Sequence, residues 1–314
     1  MTFDTRDATR ADAFLPGDEF VLTEPSLFEL DYIAVPPDIS HLATTFYHFR
    51  CDEPVIRDIQ PAAVGHLTLF PKGEGAMLFR DGSRDLSHRI NLLTPFSIAA
   101  PFEVDGPFHA VGIALSPQGW AALTGMCAGE HGNRLLDARE HLHASIGPLA
   151  EELVEGYNSG ELTGHDVLEA LADFLRTHAR PINPRHAELI ATVNTWLSGA
   201  LEPELDDLYA QLAYSRRQAQ RLVERYFGLP PQALRRKYKA LRTAAFMSLP
   251  NLAPEFEEQV TDAYYDQSHM IREIQLFAGR TPARLSGEDT PFLNEMLDLK
   301  NLREIGFDPA RARS

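Results

Sequence analysis

A pattern of helix-capping and helix-stopping residues occurs twice in the second half of this chain, at an offset of 51 positions. Each copy has a capping residue, an arginine, a glycine seven positions after the arginine, and a proline within three positions of the glycine. These positions are Ser215, Arg221, Gly228 and Pro230 in the first copy and Asp266, Arg272, Gly279 and Pro282 in the second. Each copy predicts a short helix, a tight turn, a capped helix that ends at glycine, and a helix started by proline. This is the arrangement of a helix-turn-helix unit.

The capped helix of the first copy is predicted over 216–227. Ser215 and Gln218 have the spacing of a capping box, and apolar residues spaced 3, 1, 3 and 1 apart predict one buried face. That face consists of Ala219, Leu222, Val223, Tyr226 and Phe227. Arginine and glutamine on the other faces suit a base-reading surface, because Arg pairs with guanine and Gln with adenine in the major groove. The alternative is that they are solvated surface side chains.

Basic residues are concentrated in one stretch of an otherwise acidic chain. The formal net charge is −16, whereas residues 214–242 hold nine basic side chains and one acid, Glu224, for a local charge of +8. Because binding to DNA depends on the local field, the overall acidity does not exclude a nucleic-acid binder. A helix predicted over 232–247 would be about 24 Å long, enough to hold two reading units roughly one DNA turn apart. Its basic residues, which either contact phosphates or stay solvated, are Arg235, Arg236, Lys237 and Lys239.

The sequence from Ala263 to Pro282, AYYDQSHMIREIQLFAGRTP, resembles the signature of the AraC/XylS family of bacterial transcription regulators. The segment from Leu208 to Pro231 resembles the first helix-turn-helix of that family, and the resemblance covers about 185–286. It implies a seven-helix DNA-binding domain whose two units enter adjacent major grooves. The predicted DNA-binding residues are Ser215, Arg216, Arg217, Gln220, Arg221, Arg225, Arg235, Arg236, Lys237, Lys239, Gln267, Ser268, His269 and Arg272.

The resemblance assigns base-contacting positions of the first unit to Arg217, Gln220 and Arg221. It assigns the reading end of the second unit to Gln267, Ser268, His269 and Arg272, with a neutral surface residue as the alternative for His269. The turn glycines of the family are replaced by Ala213 and Ala263, each costing about 1 kcal/mol if its backbone is left-handed. Positions that are aromatic in the family hold Val223, Met270 and Ile274 in this chain. In the second unit the positive charges of Arg272 and Arg280 are opposed by the acids Asp262, Asp266 and Glu273. We therefore expect the first unit to contribute more to DNA binding than the second.

The first half of the chain is β-rich from about 28 to 115, where short apolar runs are separated by turn residues. Asp81-Gly82 predicts a hairpin, and 71–75 and 105–107 predict further turns. Ser116 and Pro117 predict a helix start, helices follow at about 146–157 and 165–178, and 180–185 predicts a linker. Helices are predicted at about 185–199, 205–213, 216–227, 232–247, 254–263, 267–278 and 282–286, with one more around 291–304.

The fold class predicted from these patterns is α+β, and the order of the domains is similar to that of the AraC/XylS family. The resemblance implies a cupin-like β-barrel for sensing and dimerisation over 1–180, a DNA-binding domain over 185–286 and a tail over 287–314. Alternation along the strands predicts a pocket in the barrel, although core packing is an alternative for each of its residues. The pocket candidates are Tyr47, Phe49, Leu67, Leu69, Met77, Phe79 and Phe102.

Residues that could hold a metal are few and scattered. The pair His141 and His143 lies beyond the predicted barrel, and neither a metal nor another cofactor is predicted. One or two of His48, His66, His88 and His109 face the pocket, or they are satisfied core or surface residues. Cys51 and Cys127, the two cysteines of the chain, are expected to be reduced and structural.

The function predicted is that of a sequence-specific DNA-binding transcription regulator controlled by a small effector in the N-terminal domain. The predicted partners are double-stranded DNA, a second copy of the chain through 146–178, and RNA polymerase. No apolar run approaches the about 20 residues of a membrane span, and the first residues lack a secretory signal. The chain is therefore expected to be cytoplasmic, associated with the bacterial nucleoid, and not an enzyme. The alternatives are a protein-interaction module with degenerate DNA binding and, less favoured, a metal-dependent cupin enzyme.

Overall fold

The computed structural model describes residues 21–247, 263–264 and 266–280. The predicted helices at 282–286 and 291–304, the tail, and all but the last residue of the helix predicted at 254–263 lie outside these residues. The described chain has two main parts. The N-terminal region is 21–178, and the helical region is 184–280 with the gaps just given.

One antiparallel sheet forms the centre of the N-terminal region. Its strands are β1 (Glu29–Ile33), β2 (Ala43–Cys51), β3 (Val55–Gln60), β4 (His66–Leu78), β5 (Arg84–Leu86), β6 (Ile90–Leu93), β7 (Ala100–Leu115) and β8 (Leu135–Asp137). The hydrogen-bonded order is β1-β2-β7-β4-β6-β8, while β3 pairs with β7 and β5 pairs with β4. With the helices described below, this sheet makes the fold α+β, as the sequence predicts.

The barrel expected from the sequence is not closed. β1 and β8 stand at the two ends of the strand order. The first part of β7, from 100 to 105, pairs with β3, and its second part, from 108 to 115, pairs with β2. β4 likewise pairs with β6 near His66 and with β5 near Ala76. Because the two longest strands each take different partners at their two ends, the sheet branches and wraps around a cavity without joining its outer strands.

Turn signals in the sequence have two different outcomes. Asp81-Gly82 forms the predicted hairpin between β4 and β5, with Gly82 at a φ of 83° and its N–H donating to Phe79 O at 2.9 Å. The predicted turns at 71–75 and 105–107 are wrong, since both segments lie inside strands. The β4 segment contains register shifts on either side of Lys72. Here a bulge lets a long strand bend, so that turn residues do not end it.

The described helices are α1 (Pro117–Thr124), α2 (Ala128–His131), α3 (Ala138–His141), α4 (Ile146–Ser159), α5 (Gly164–His178), α6 (Pro184–Gly199), α7 (Leu205–Gln211), α8 (Arg216–Phe227), α9 (Pro231–Met247) and α10 (Gln267–Ala278). The short helices α2 and α3 are not predicted from the sequence, and α4 to α10 agree with the predicted bounds within two residues. α1 begins as predicted, because Ser116 accepts a hydrogen bond from the backbone N–H of Gly119. Within the described ranges no helix is long and apolar enough to cross a membrane.

Two large apolar cores organise the described chain. α4 and α5 pack on one face of the sheet, where Leu153 and Leu171 share a core with Leu67. The second core lies among α6 to α10 and also contains Ala62 and Ile98 of the N-terminal region. The N-terminal and helical regions therefore share buried apolar surface.

Candidate functional site

α7, the turn 212–215 and α8 form the first predicted helix-turn-helix. Ser215 Oγ accepts a hydrogen bond from the N–H of Gln218 at 3.4 Å, and the N–H of Ser215 donates to Gln218 Oε1 at 3.2 Å. This is the predicted capping box. Among the described residues, the non-glycine position given a positive φ is Asn133, so Ala213 is not left-handed. The expected backbone cost of alanine at this turn position therefore does not arise.

α8 buries its apolar stripe and presents its arginines to solvent. Ala219, Val223, Tyr226 and Phe227 are buried and Leu222 is half-buried, so the stripe predicted from the spacing is confirmed. The exposed residues are Arg216, Arg217, Gln218, Gln220, Arg221, Glu224 and Arg225. Four guanidinium groups against one carboxylate give this face a strongly positive field.

α7 holds two of the polar side chains of α8 in place. Arg216 pairs with Asp206 at 2.6 Å and lies 5.0 Å from the ring centre of Tyr209, while Gln220 Nε2 donates to Tyr209 Oη at 3.3 Å. In the described part of the chain, no hydrogen bond or ion pair is recorded for Arg217 or Arg221. These two arginines thus keep their donors available for a ligand.

The lysines predicted on the next helix lie inside the protein, which corrects both interpretations given from the sequence. Lys237 and Lys239 are 2% and 5% exposed, so that neither is solvated nor able to contact a phosphate in this conformation. Lys237 Nζ donates to Phe96 O at 2.9 Å and to Ala63 O at 3.3 Å. The physical reason is that α9 lies between the N-terminal region and α10, and both of its sides are covered.

The arginines of α9 are also engaged by protein groups. Arg235 is half-buried and pairs with Glu202 at 3.6 Å. Arg236 is half-buried and forms an ion pair with Glu273. Arg242 is 1% exposed, and burial lowers the pKa of its guanidinium to about 10. The positive charge that the sequence shows as one cluster is therefore divided, and the part that faces solvent freely is on α8.

α10 is the predicted reading helix of the second unit. Gln267, Ser268 and Arg272 are exposed, and His269 is partly exposed with its Nε2 3.4 Å from Glu273 Oε1. Asp266 caps the helix, because its Oδ1 accepts from the N–H of His269 at 2.7 Å. Glu273 is 1% exposed. It does not oppose Arg272 at the surface, as the sequence suggests, but balances cations beneath α10.

The end of α10 is bonded to the N-terminal region. Phe277 O accepts from the N–H of Ala62 at 2.8 Å, and Leu276 O accepts from the N–H of Ala99 at 2.9 Å. Arg280 forms an ion pair with Asp58 of β3, and both side chains are buried. Together with the contacts of Lys237, these bonds tie the helical region to residues 58–63 and 96–99.

A cavity of about 160 Å³ lies inside the N-terminal region. Of the predicted pocket residues, Tyr47, Phe49, Met77 and Phe102 line it, whereas Leu67, Leu69 and Phe79 do not. Leu67 and Leu69 point from β4 to the opposite face, into the core beneath α4 and α5. One wall consists of residues 60–63, and Leu241 of α9 also lines the cavity. The wall is thus the same segment that holds the end of α10.

Two polar side chains of the cavity lining, Tyr47 and His66, are hydrogen-bonded, and Thr68 lies behind Tyr47. Tyr47 Oη lies 2.6 Å from Thr68 Oγ1 and 3.1 Å from His66 Nδ1. Burial lowers the pKa of His66 to about 4 and raises the pKa of Tyr47. Both are therefore uncharged at neutral pH. His66 is the one pocket-facing member of the four histidines considered from the sequence.

The other histidines and the cysteines have structural surroundings. Tyr157 Oη bonds to His48 Nε2 at 2.8 Å and to His109 Nδ1 at 2.7 Å, which joins α4 to β2 and β7. His88 lies 3.4 Å from Asp137. Both cysteines are free, and burial raises the pKa of Cys51. In the residues that were searched, no group of three or more His, Cys, Asp or Glu side chains could hold a metal ion.

No family model and no curated protein matches this chain. Similar solved structures include ToxT from Vibrio cholerae O395, with a TM-score of 0.43, 10% identity, and coverage of 83% of this chain and 99% of that chain. Another is ToxT from Vibrio cholerae strain SCE256 with an unsaturated fatty acid bound, with a TM-score of 0.41 and 7% identity. That match covers 84% of this chain and 96% of that chain. The AraC-like transcriptional activator CuxR has a TM-score of 0.30 and 13% identity, and the match covers 67% of this chain and 85% of that chain. At these scores the likeness by itself assigns no activity.

Proposed function

We propose that this chain is a sequence-specific DNA-binding transcription regulator and that α8 is its main reading helix. The observation that carries the proposal is the exposed face of α8, on which Arg217, Gln220 and Arg221 stand free of the protein interior. The helix follows a four-residue turn, begins at a capping box and is anchored by its apolar stripe. A rigid helix with a basic, hydrogen-bonding face is what the major groove of DNA accommodates.

The polar residues of α8 divide by position into two roles. Arg217, Gln220 and Arg221 are one turn or less apart and are proposed to contact base edges, where Arg binds guanine and Gln binds adenine. Ser215, Arg216 and Arg225 flank them at the two ends of the helix and are proposed to contact phosphates. Phosphate contacts supply affinity and register, and base contacts supply specificity.

α10 is proposed as a second, weaker reading helix. Gln267, Ser268, His269 and Arg272 are accessible on its first two turns, but Arg272 is the one permanent cation among them. α9 connects the two units and contacts both α8 and α10. Lys237 and Lys239 are buried and are not proposed to contact DNA in this conformation. Arg235 and Arg236 would have to exchange their protein partners for phosphates.

Control by an effector is proposed through the cavity wall. Residues 60–63 line the cavity and also bond to Lys237 and to the end of α10. A molecule that changes the position of this wall would change how α9 and α10 are held. ToxT, one of the similar structures, was solved with an unsaturated fatty acid. For this chain a small organic effector in the cavity is the corresponding proposal.

The same proposal includes a homodimer, a contact with RNA polymerase and a place on the bacterial nucleoid in the cytoplasm. These three points rest on the resemblance in sequence. The segment 146–178, through which a dimer is expected, holds α4 and α5, and the apolar faces of these helices pack against the sheet. Their exposed side chains include Glu151, Glu152, Glu155 and Asp173. A dimer through these helices would therefore depend on polar contacts.

The experiment is fluorescence anisotropy of the purified chain on tiled duplexes from the DNA upstream of its own gene, with a shuffled duplex as reference and at two salt concentrations. The proposal predicts salt-sensitive binding confined to one tile. Each single charge reversal, Arg217→Glu or Arg221→Glu, is expected to abolish it. Arg84→Glu, an equal charge change at an exposed position on β5, is expected to weaken it slightly. Absence of binding to every tile, with and without an effector, would favour the protein-interaction module.

A further inference from the structure

The cavity in the N-terminal region is lined mainly by aromatic and aliphatic side chains. Its uncharged polar members besides Tyr47 and His66 are Tyr32, Thr44, Thr45, Gln60 and Ser87. Among the described residues that line it, none is Asp, Glu, Lys or Arg. Its aromatic members are Tyr32, Tyr47, Phe49, Phe70, Phe102 and Phe108. Transfer of an ionised carboxylate or ammonium group into such surroundings is strongly unfavourable unless an opposite charge is present. The walls therefore favour a ligand without charge.

Tyr47 and His66, which lie next to each other in the cavity lining, offer a ligand a place for a hydrogen bond. Both side chains are half-buried. The hydroxyl of Tyr47 engages Thr68 and Nδ1 of His66. For Nε2 of His66 no hydrogen bond is recorded within the described residues. This ring nitrogen can therefore form a hydrogen bond with a ligand in the cavity.

The pair of Tyr47 and His66 cannot supply a positive charge for an acid. Because burial lowers the pKa of His66 to about 4, its ring is neutral at pH 7. The neutral imidazole donates or accepts one hydrogen bond at Nε2, according to its tautomer. A hydroxyl group can serve either tautomer, and a carbonyl group can accept from the N–H form.

The size of the cavity limits the ligand further. Its volume of about 160 Å³ is close to that of an engineered apolar cavity of about 150 Å³ that binds benzene. One ring with a short substituent, or a short branched chain, has a suitable size. The rings of Phe49, Phe102 and Phe108 provide flat apolar walls for such a molecule.

From the walls, the Tyr47 and His66 pair and the size together, we infer that the cavity binds a small uncharged molecule, mainly apolar, that carries a hydroxyl or carbonyl group. The ligand's polar group lies against His66 and its ring or chain lies among the phenylalanines. This inference rests on the proposed effector control and specifies the class of effector.

The test is calorimetric titration of the full chain at pH 7.5 with benzyl alcohol, benzoate and toluene. The three probes have similar size and differ in charge and in hydrogen bonding. We expect benzyl alcohol to bind, benzoate to bind at least tenfold more weakly, and toluene to bind roughly five- to tenfold more weakly for lack of the hydrogen bond. Benzoate binding as tightly as benzyl alcohol, or binding of none of the three, would overturn the inference.

Variants locate the site. His66→Phe preserves bulk and is expected to weaken benzyl alcohol to the level of toluene, with toluene itself unchanged or improved. Tyr47→Phe is a second variant, because it removes only the hydroxyl that orients His66. Leu69→Met, on the same strand but facing the other core, is the matched control and should leave all three affinities unchanged. Equal affinity of His66→Phe and the wild type for benzyl alcohol would refute the role of His66.

Failure of this inference is distinguishable from failure of the proposed function. The titration contains no DNA, so that a chain without DNA binding still gives a result. If DNA binds specifically and benzoate competes equally with benzyl alcohol, the regulator stands and the ligand class is wrong. If benzyl alcohol binds as expected and no duplex binds, the ligand class stands and the regulator is wrong.

Discussion

The ion pair between Asp58 and Arg280 provides a quantitative test of how the two regions are held together. The side chains are 2% and 6% exposed, and they join β3 to the second residue after the end of α10. Removing one partner of a buried pair costs about 3–5 kcal/mol, because the other charge is left buried without compensation. For Arg280→Met we expect the lower end, about 3 kcal/mol. The N–H of Ile59 still donates to Asp58 Oδ1 at 2.6 Å in that variant.

The double variant separates the charge from the packing. Asp58→Asn with Arg280→Met leaves neither charge buried, so its loss of unfolding free energy should be below about 1.5 kcal/mol. The pairwise term of the double-mutant cycle should then be at least about 2 kcal/mol. Arg84→Met, at an exposed arginine of β5, is the control and should change stability by less than about 0.5 kcal/mol.

The assay is urea unfolding of the full chain followed by tryptophan fluorescence. The two tryptophans report on different cores, since Trp120 lies beneath α4 and α5 and Trp196 lies in the helical region. A loss of about 3 kcal/mol corresponds to a fall in Tm of roughly 6–12 °C. The described docking of α10 is wrong if the free energy of unfolding of Arg280→Met lies within about 0.5 kcal/mol of the wild-type value. It is also wrong if the losses of unfolding free energy in Asp58→Asn and in Arg280→Met simply add in the double variant.

Three further predictions concern single positions. Burial lowers the pKa of His66 to about 4, below its unfolded value of about 6.5, so the unfolded chain binds more protons between these two pH values. The free energy of unfolding should therefore fall as the pH is lowered from about 6.5 to about 4. The urea midpoint of His66→Phe should fall less steeply over the same range. Gly73→Ala should lower the free energy of unfolding more than Gly82→Ala. Both glycines have positive φ, but a Cβ at Gly73 would lie 2.6 Å from Asp105 O, whereas a Cβ at Gly82 would meet open space. Equal falls in Tm for the two variants would contradict this. Ser215→Ala should cost about 1 kcal/mol by loss of the cap and should weaken DNA binding, and an unchanged affinity would argue against α8 as the reading helix.

Local signals in the sequence predict the elements of the helical region well. The cap at Ser215, the apolar stripe of α8 and the stop at Gly228 depend on residues within one helix, and each is present in the structure. The hairpin at Asp81-Gly82 is likewise a local feature. Because these interactions span few residues, their spacing carries most of the required information.

Contacts between distant segments could not be predicted in this way. Lys237 appears in the sequence as one cation of a basic cluster, and its burial depends on the carbonyl groups of Ala63 and Phe96. The turn residues 71–75 continue a strand, because pairing with β7 holds β4 together across the bulge. Pairing between distant strands also decides that the sheet stays open and which face of β4 lines the cavity, so neither feature can be predicted from local sequence.

The central claim is that α8 reads base sequence, and the ratio of affinities for the bound tile and for a shuffled duplex tests it most directly. In the variant Arg217→Ala with Arg221→Ala this ratio should collapse by at least about tenfold, since each base-contacting arginine contributes roughly 1–3 kcal/mol of discrimination. The weak binding to shuffled DNA should largely persist, because Arg216 and Arg225 remain exposed at the ends of the helix. A ratio equal to that of the wild type would contradict the claim and would place sequence reading elsewhere in the chain.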